Sequence, residues 1–217
     1  MHRINPAGKA LRPQITKKIV GEAAAAGGSA LAGYLDAGDN PLPPTTPLKR
    51  LGDEAQLDDP DFLATFDLVV AVQGGGRRAL CEMILARGGA LPVLAHPAAT
   101  VSTTASIGAG TILSAGVIVQ SDARIGRFCV LNTACTIDHD NVVGDSVSIG
   151  PGAHTAGRVT ILDEAFVGLG AVIINGVTVG RRATVGAGAV VVRDVPEGAT
   201  VVGNPARLMP AKPASAG

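Results

Sequence analysis

His139 and Asp140 stand together in the run Ile137-Asp138-His139-Asp140-Asn141, an imidazole followed at once by a carboxylate. Such a pair suits a general base. Histidine ordinarily titrates near ~6.5, and an acidic neighbour orients the ring and stabilises its cation. The matching chemistry is removal of a proton from an amine or hydroxyl as its nitrogen or oxygen attacks an activated carbonyl. No serine or cysteine is set out as an obvious nucleophile, so direct transfer without a covalent enzyme intermediate fits the residues present. The same residues also suit an Asp-rich surface turn. Five further candidates stand apart from this pair. Asn132 is either an acceptor contact or plain corner chemistry, and Asn141 is expected to brace its corner. His154 is expected to be a surface or interface side chain, with a cofactor contact as the alternative, and His96 a junction residue. Gly74-Gly75-Gly76 either cradles phosphate with backbone N–H groups or forms a tight turn, and it lacks the full dinucleotide fingerprint.

What positions His139 is a repeat. Every sixth residue from Val101 to Val191 is Ile, Leu or Val, 15 of 16 slots, with Thr155 the exception. The residue four places after each is small, and Cys129, Cys135 and Asn141 belong to this series. Neither a 3.6-residue helix nor an alternating strand gives this pattern; a six-residue period is the signature of a parallel β-helix. Each repeat forms one side of a triangular coil, so inward residues 18 apart stack, as in the column Ile107, Ile125, Val143, Ile161. Each buried aliphatic is worth roughly 1.5–3 kcal/mol, set against a backbone ordering cost of similar overall scale. Glycine often follows the aliphatic residue, as at Gly108, Gly126 and Gly150, and is expected at corners for its conformational freedom. His139, two places after inward Ile137, projects from the prism. The repeats run from 101 to 196.

Ahead of the prism, helices and strands alternate, which implies a small α/β domain on a parallel sheet. A helix is expected over 15–26, a strand over 31–36, a short helix closing at 63–66, a strong strand over 67–72, a helix over 77–87 and a short strand over 91–94. The resulting organisation is a flexible N-terminus (1–14), a small α/β domain (15–96), a β-helix (97–208) and a disordered Pro/Ala tail (209–217).

Composition narrows the function class. Lys+Arg and Asp+Glu are 18 each in 217 residues, and no basic stripe with interleaved aromatics suggests nucleic acid. Four Phe, one Tyr and no Trp leave an aliphatic core. Cys81, Cys129 and Cys135 fit no metal spacing; an odd count without a secretion signal points to a reducing cytoplasm. The faint signal-like run at 17–23 is interrupted by Glu22, and no stretch approaches the ~20 apolar residues of a membrane span. A zinc hydratase on the same kind of prism would need three convergent histidines; the prism has only His139 and His154.

The α/β piece, the His96-Pro97 junction, the hexapeptides and the closing Gly203-Asn204-Pro205-Ala206-Arg207 occur in a familiar order. Between Ile125 and Gly157 lie Ile-Gly-Arg-Phe-Cys-Val-Leu-Asn-Thr, Ile-Asp-His-Asp, Val-Gly-Asp, Pro-Gly-Ala and Ala-Gly. Over residues 15–208 the chain resembles the NeuD-type sugar O-acyltransferases, which include sialic acid O-acetyltransferases and nucleotide-amino-sugar N-acetyltransferases. The resemblance implies a left-handed parallel β-helix after a small, apparently truncated α/β domain, assembled as a homotrimer with no membrane span. It also implies an acetyltransferase of glycan biosynthesis that takes acetyl-coenzyme A as acyl donor, without a metal, and acts on a nucleotide-linked sugar.

On that resemblance His139 is the general base and Asp140 the neighbour that raises its basicity. Asn132 and Asp36 fall to the acceptor, and Ser148, Leu169 and Ala187 to acetyl-coenzyme A. Leu169 and Ala187 are 18 apart, hence stacked on one edge. Three departures follow. Ser148 stands where the family has a second histidine; the N-terminal strand and glycine-rich turn ending in histidine are missing; and Gln73-Gly74-Gly75 precedes Arg78 where members carry Gly-Asp/Asn-Asn. These departures leave open a second reading, a non-catalytic trimeric binding or structural protein derived from such an enzyme.

Overall fold

The computed structural model describes residues 32–35, 49–71 and 76–210. The chain divides into two compact units, Met1–Pro97 and Ala98–Gly217. The helix expected over 15–26, the N-terminal segment 1–14, Asp36, Gly74-Gly75 and the tail from 211 lie outside the described residues.

In the first unit, Tyr34–Leu35 (β1) pairs in parallel with Arg50–Gly52 (β2). A 3-10 turn follows at Glu54–Asp58, then helix α1 at Pro60–Thr65. Asp53 and Asp59 cap these two, each accepting a backbone N–H at 2.9 Å, and Pro60 occupies a first-turn position where its missing N–H costs nothing. Helix α2 spans Gly76–Ala86 and buries Cys81 and Ile84, while the buried Arg77 guanidinium donates to the Val70 carbonyl. The strand expected over 67–72 is corrected. Up to Ala71 it pairs only through the isolated bridge Asp67–Ala90, with Leu68 N donating to Ala90 O at 2.9 Å. Hydrophobicity there reflects burial rather than a ladder, and Pro92 contributes no donor to extend the pairing.

The second unit is a parallel β-helix with three faces. Face I stacks Thr100–Val101, Ile118–Val119, Thr136–Ile137, His154–Thr155, Val172–Ile173 and Val190–Val191. Face II stacks Ser106–Ile107, Arg124–Ile125, Val142–Val143, Thr160–Ile161 and Thr178–Val179. Face III runs from Ile112–Leu113 through Val130–Leu131, Ser148–Ile149, Phe166–Val167 and Thr184–Val185 to Thr200–Val202. The column Ile107, Ile125, Val143, Ile161 is in direct register. Small-slot residues from Val117 to Ala189 are buried with the aliphatic columns. Val101 at the open first coil is exposed.

Two expectations about the repeat are corrected. Glycines that follow the inward aliphatic do not supply unusual backbone angles. A Cβ on Gly108, Gly150 or Gly168 would lie 2.6 Å from a backbone nitrogen of the next coil, so close approach is what requires glycine there. The left-handed conformation falls two residues later, at Asp122 (φ 60°), Asp140 (57°), Glu164 (61°) and their equivalents, where the tight corner forces φ positive whatever the side chain.

The repeat also does not run unchanged to 196. Val195 pairs with Val179 and Thr200 with Thr184, a spacing of 16 residues instead of 18. Val195 therefore takes an aliphatic place, not a small slot. The Asp194 carboxylate accepts from Thr178 N at 2.7 Å and stands in for a carbonyl that the shortened corner lacks. The coil continues to Val202 and is closed by antiparallel Arg207–Leu208, with Met209 N donating to Thr200 O at 2.8 Å.

Candidate functional site

Three edges join the faces, and they differ in chemistry. At the I/II edge the chain turns from Thr136–Ile137 to Val142–Val143 through Asp138, His139, Asp140 and Asn141. The turn is anchored to its neighbours: Asp140 N donates to Ser121 O at 3.1 Å, and Arg158 N donates to His139 O at 3.0 Å. The left-handed Asp140 sends its carboxylate back to the ring. His139 Nδ1 meets Asp140 Oδ2 at 2.8 Å, with the side chains 46% and 52% exposed. A carboxylate partner assigns the proton to Nδ1 and leaves Nε2 with a lone pair. The Nε2 edge of the ring lies over Gly157, the equivalent residue one coil on. A Cβ there would lie 2.5 Å from Nε2 and from Cε1.

Beneath this exposed pair the interior is polar. Asn141, fully buried, donates from Nδ2 to Asp138 O at 2.8 Å and Ala156 O at 2.8 Å, and lies 3.2 Å from His139 O. Asn141 is thus a brace, as its sequence slot implied. Its Oδ1 is buried without a hydrogen-bond partner, a cost of about 1–3 kcal/mol. Thr155, the exception in the aliphatic series, accepts from Asp138 N at 3.2 Å.

The III/I edge carries Asn132, Leu169 and Ala187. Leu169 is 61% exposed, and its carbonyl accepts from Gly188 N at 2.8 Å, so exposed Ala187 sits in the same column. Asn132 lies on this edge too, half-buried, with Nδ2 donating to Ile149 O at 2.8 Å. This amide ties one coil to the next. Ser148 is half-buried on the outer side of face III, paired between Val130 and Phe166. His154 is exposed, with Nδ1 2.8 Å from Thr136 Oγ1. The chain therefore brings together His139 and Asp140 on one edge, and Asn132, Leu169 and Ala187 on another. Asp36 lies outside the described residues.

The II/III edge is a ladder of ions. Arg127 donates to Asp145 Oδ2 from Nη2 at 2.6 Å and Nε at 3.0 Å, while its backbone N reaches Asp145 Oδ1 at 2.8 Å. Asp145 N donates to Asp163 Oδ1 at 3.0 Å, and Arg181 pairs with Asp163 Oδ2 at 3.0 Å. Beside it, the hydrogen bond and charge of Glu197 raise the Arg182 pKa above its ordinary value. Within the prism, burial pushes the Cys135 thiol up to about 12. All three cysteines are free and buried. Among the described residues no group of His, Cys, Asp and Glu is arranged to hold a metal ion, and no helix is long and apolar enough to cross a membrane.

Three similarities to known proteins bear on this arrangement. GDP-perosamine N-acetyltransferase of Escherichia coli O157:H7 is 41% identical over 144 residues, 64% of this chain and 65% of its own length. PerB from Caulobacter crescentus, solved in complex with CoA and GDP-perosamine, superposes with a TM-score of 0.81 at 34% identity, over 90% of this chain and 93% of its own. The acetyltransferase domain of PglB from Neisseria gonorrhoeae FA1090, solved with acetyl coenzyme A, gives a TM-score of 0.81 at 38% identity, over 91% and 96%. The chain belongs to the hexapeptide-repeat sugar acetyltransferases. No family model matches it, and the chain spans just under two thirds of the curated relative's length. Membership gives the prism its hand: the parallel β-helix of this family is left-handed.

Sequence reasoning assigned no role to two residues beside His139, Gly157 on the I/II edge and Thr155 on face I. Gly157 is legible only once coils are stacked, because its relevance is the ring 18 residues earlier. Thr155 was visible as the break in the aliphatic series, and that break was the signal.

Proposed function

We propose that the chain transfers the acetyl group of acetyl-coenzyme A to the amine of a nucleotide-linked amino sugar, with His139 as general base. The observation that carries this reading is the exposed His139–Asp140 pair, joined at 2.8 Å, whose Nε2 edge lies over Gly157, where any side chain would collide with it. The amine nitrogen attacks the thioester carbonyl as Nε2 takes its proton. A C–N bond forms, the C–S bond breaks, and the proton passes from the imidazolium to the departing thiolate. Asp140 holds the ring and stabilises its cation. The exposed apolar strip of Leu169 over Ala187 suits the arm of acetyl-coenzyme A, with Ser148 as a hydroxyl contact. Asn132 and Asp36 are assigned to the acceptor, residues 15–96 to nucleotide-sugar binding and 97–208 to transfer. An amine acceptor is favoured over a hydroxyl because the similar enzymes are named as N-acetyltransferases.

The two groups of candidates occupy different edges of one prism, so a second copy must bring its III/I edge to the I/II edge of the first. Closed threefold symmetry meets that need three times over, and the proposed assembly is a homotrimer. Three free, buried thiols support action in the cytoplasm.

Thiol release from acetyl-coenzyme A, with a panel of nucleotide-linked amino sugars and their hydroxyl counterparts, tests the reaction. Release with an amino sugar and an N-acetyl product by mass spectrometry is expected; release with hydroxyl sugars alone would reject the amine acceptor. A monomer by light scattering at micromolar concentration would reject the shared site.

A further inference from the structure

Two residues interrupt the apolar interior of the middle coils, and both grip one segment. Thr155 stands in an aliphatic slot and Asn141 in a small one, and both are buried. Thr111, also polar and inward, lies in the first coil and bonds Gly126 O and Cys129 N, away from this segment. On face I, Gln120 N and Ala156 N donate to the carbonyls of Ile137 and Ile173, each at 2.9 Å. The Asp138 amide donates instead to the Thr155 hydroxyl, which in turn donates to Thr136 O at 3.3 Å. From the other side, Asn141 Nδ2 holds Asp138 O and approaches His139 O. Both peptide units that flank Asp138, and the one after His139, are thus bonded to side chains inside the prism.

We infer that Asn141 and Thr155 are positioning residues that aim the His139 ring from within the core, an inference that rests on the reading of His139 as the base. An exposed ring held only by an equally exposed carboxylate takes its direction from the backbone that carries it. Apolar packing is non-directional and does not fix the tilt of a peptide plane; hydrogen bonds to its N–H and C=O do. A proton acceptor must be held within a fraction of an ångström and a few tens of degrees of its productive pose. The amide is the right group at 141, because Nδ2 faces three carbonyl oxygens that can only accept. A carboxylate there would repel them.

The test replaces both residues by the type the prism already uses in those slots. Val179 fills an aliphatic slot and Val159 a small one, so Thr155→Val and Asn141→Val preserve the packing. Each variant is expected to keep its fold and assembly and to melt somewhat below the wild type, because a buried carbonyl or amide loses its partner. Each should lose about 10-fold or more in kcat, with KM for acetyl-coenzyme A unchanged, and should displace the Cε1–H proton resonance of His139. Thr155→Ser, which restores the hydroxyl, should recover both rate and resonance. Wild-type kcat and an unmoved His139 resonance in both valine variants would overturn the proposal. Loss of the fold in both would also overturn it, by assigning the two residues to stability. His139→Ala run in parallel separates the premises: full turnover there defeats the base assignment, while the ring resonance still reports whether the clamp sets the ring.

Discussion

The I/II and II/III edges of the prism share a backbone and a corner geometry, with a left-handed residue at Asp140 on one and at Ser146 and Glu164 on the other. Their side chains do opposite things. Along the II/III edge Arg127, Asp145, Asp163 and Arg181 answer one another down successive coils, so the charges are spent on joining coils. On the I/II edge His139 and Asp140 answer only each other, and the position one coil on is glycine. The repeat supplies identical corners; the I/II corner differs in carrying an imidazole held by one carboxylate partner, with glycine one coil on. The contrast extends inward, where the corner at His139 is backed by Asn141 and Thr155 instead of aliphatic packing.

The sharpest way to break the comparison is at the exposed imidazole of His139. His139→Ala should lower turnover by about 100-fold or more without changing the melting temperature, because an outward side chain leaves no cavity. Asp140→Asn should act in the same direction more mildly. Turnover within a few-fold of wild type in His139→Ala would make the I/II edge as structural as the ladder. Next in size is Gly157→Ala. Its Cβ meets the end of a side chain rather than backbone, so the ring moves and the fold does not; about a 10-fold loss in kcat is expected with an unchanged melt. A destabilised protein with normal kcat would show that Gly157 serves packing.

The reverse experiment is on the ladder. Asp145→Ala removes three acceptor contacts to Arg127 and should cost about 1–2 kcal/mol in denaturant unfolding, with kcat unchanged. A loss of rate equal to that of His139→Ala would erase the distinction between the edges. The smallest effect concerns Cys135, whose thiol is raised by burial from 9.0 to about 12. A raised folded-state value keeps its stabilising contribution below pH 9 and loses it as pH climbs toward about 12. Alkylation of the native protein at pH 8 should therefore leave Cys135 unmodified by mass spectrometry, and rapid labelling would contradict its place in the prism.

The prism was legible because its period is a property of the chain. Ile107, Ile125, Val143 and Ile161 repeat at the spacing that the coil demands, and their register is as the count implies. Where a local feature replaced the count, the sequence misled: Asp194 supplies an acceptor and shortens the last coil by two residues. The first unit was less legible, since hydrophobicity over 67–71 marks burial without naming a pairing partner. The glycines after the aliphatic slots were readable as special, but not for the reason that holds. Their constraint is a backbone of the next coil at 2.6 Å, a contact with no trace in neighbouring residues.

Sequence alone determined the coil, the inward columns and the outward direction of His139, because a strict period of six leaves each residue one place on the prism. It also marked Thr155 and Asn141 as exceptions. Tertiary structure decided what those exceptions hold, that Nε2 lies over Gly157, and that His139 and the Leu169–Ala187 strip fall on separate edges. These are relations between residues a whole coil or a third of a coil apart, and hydrogen bonds and open space at that range exist only once the chain has wound.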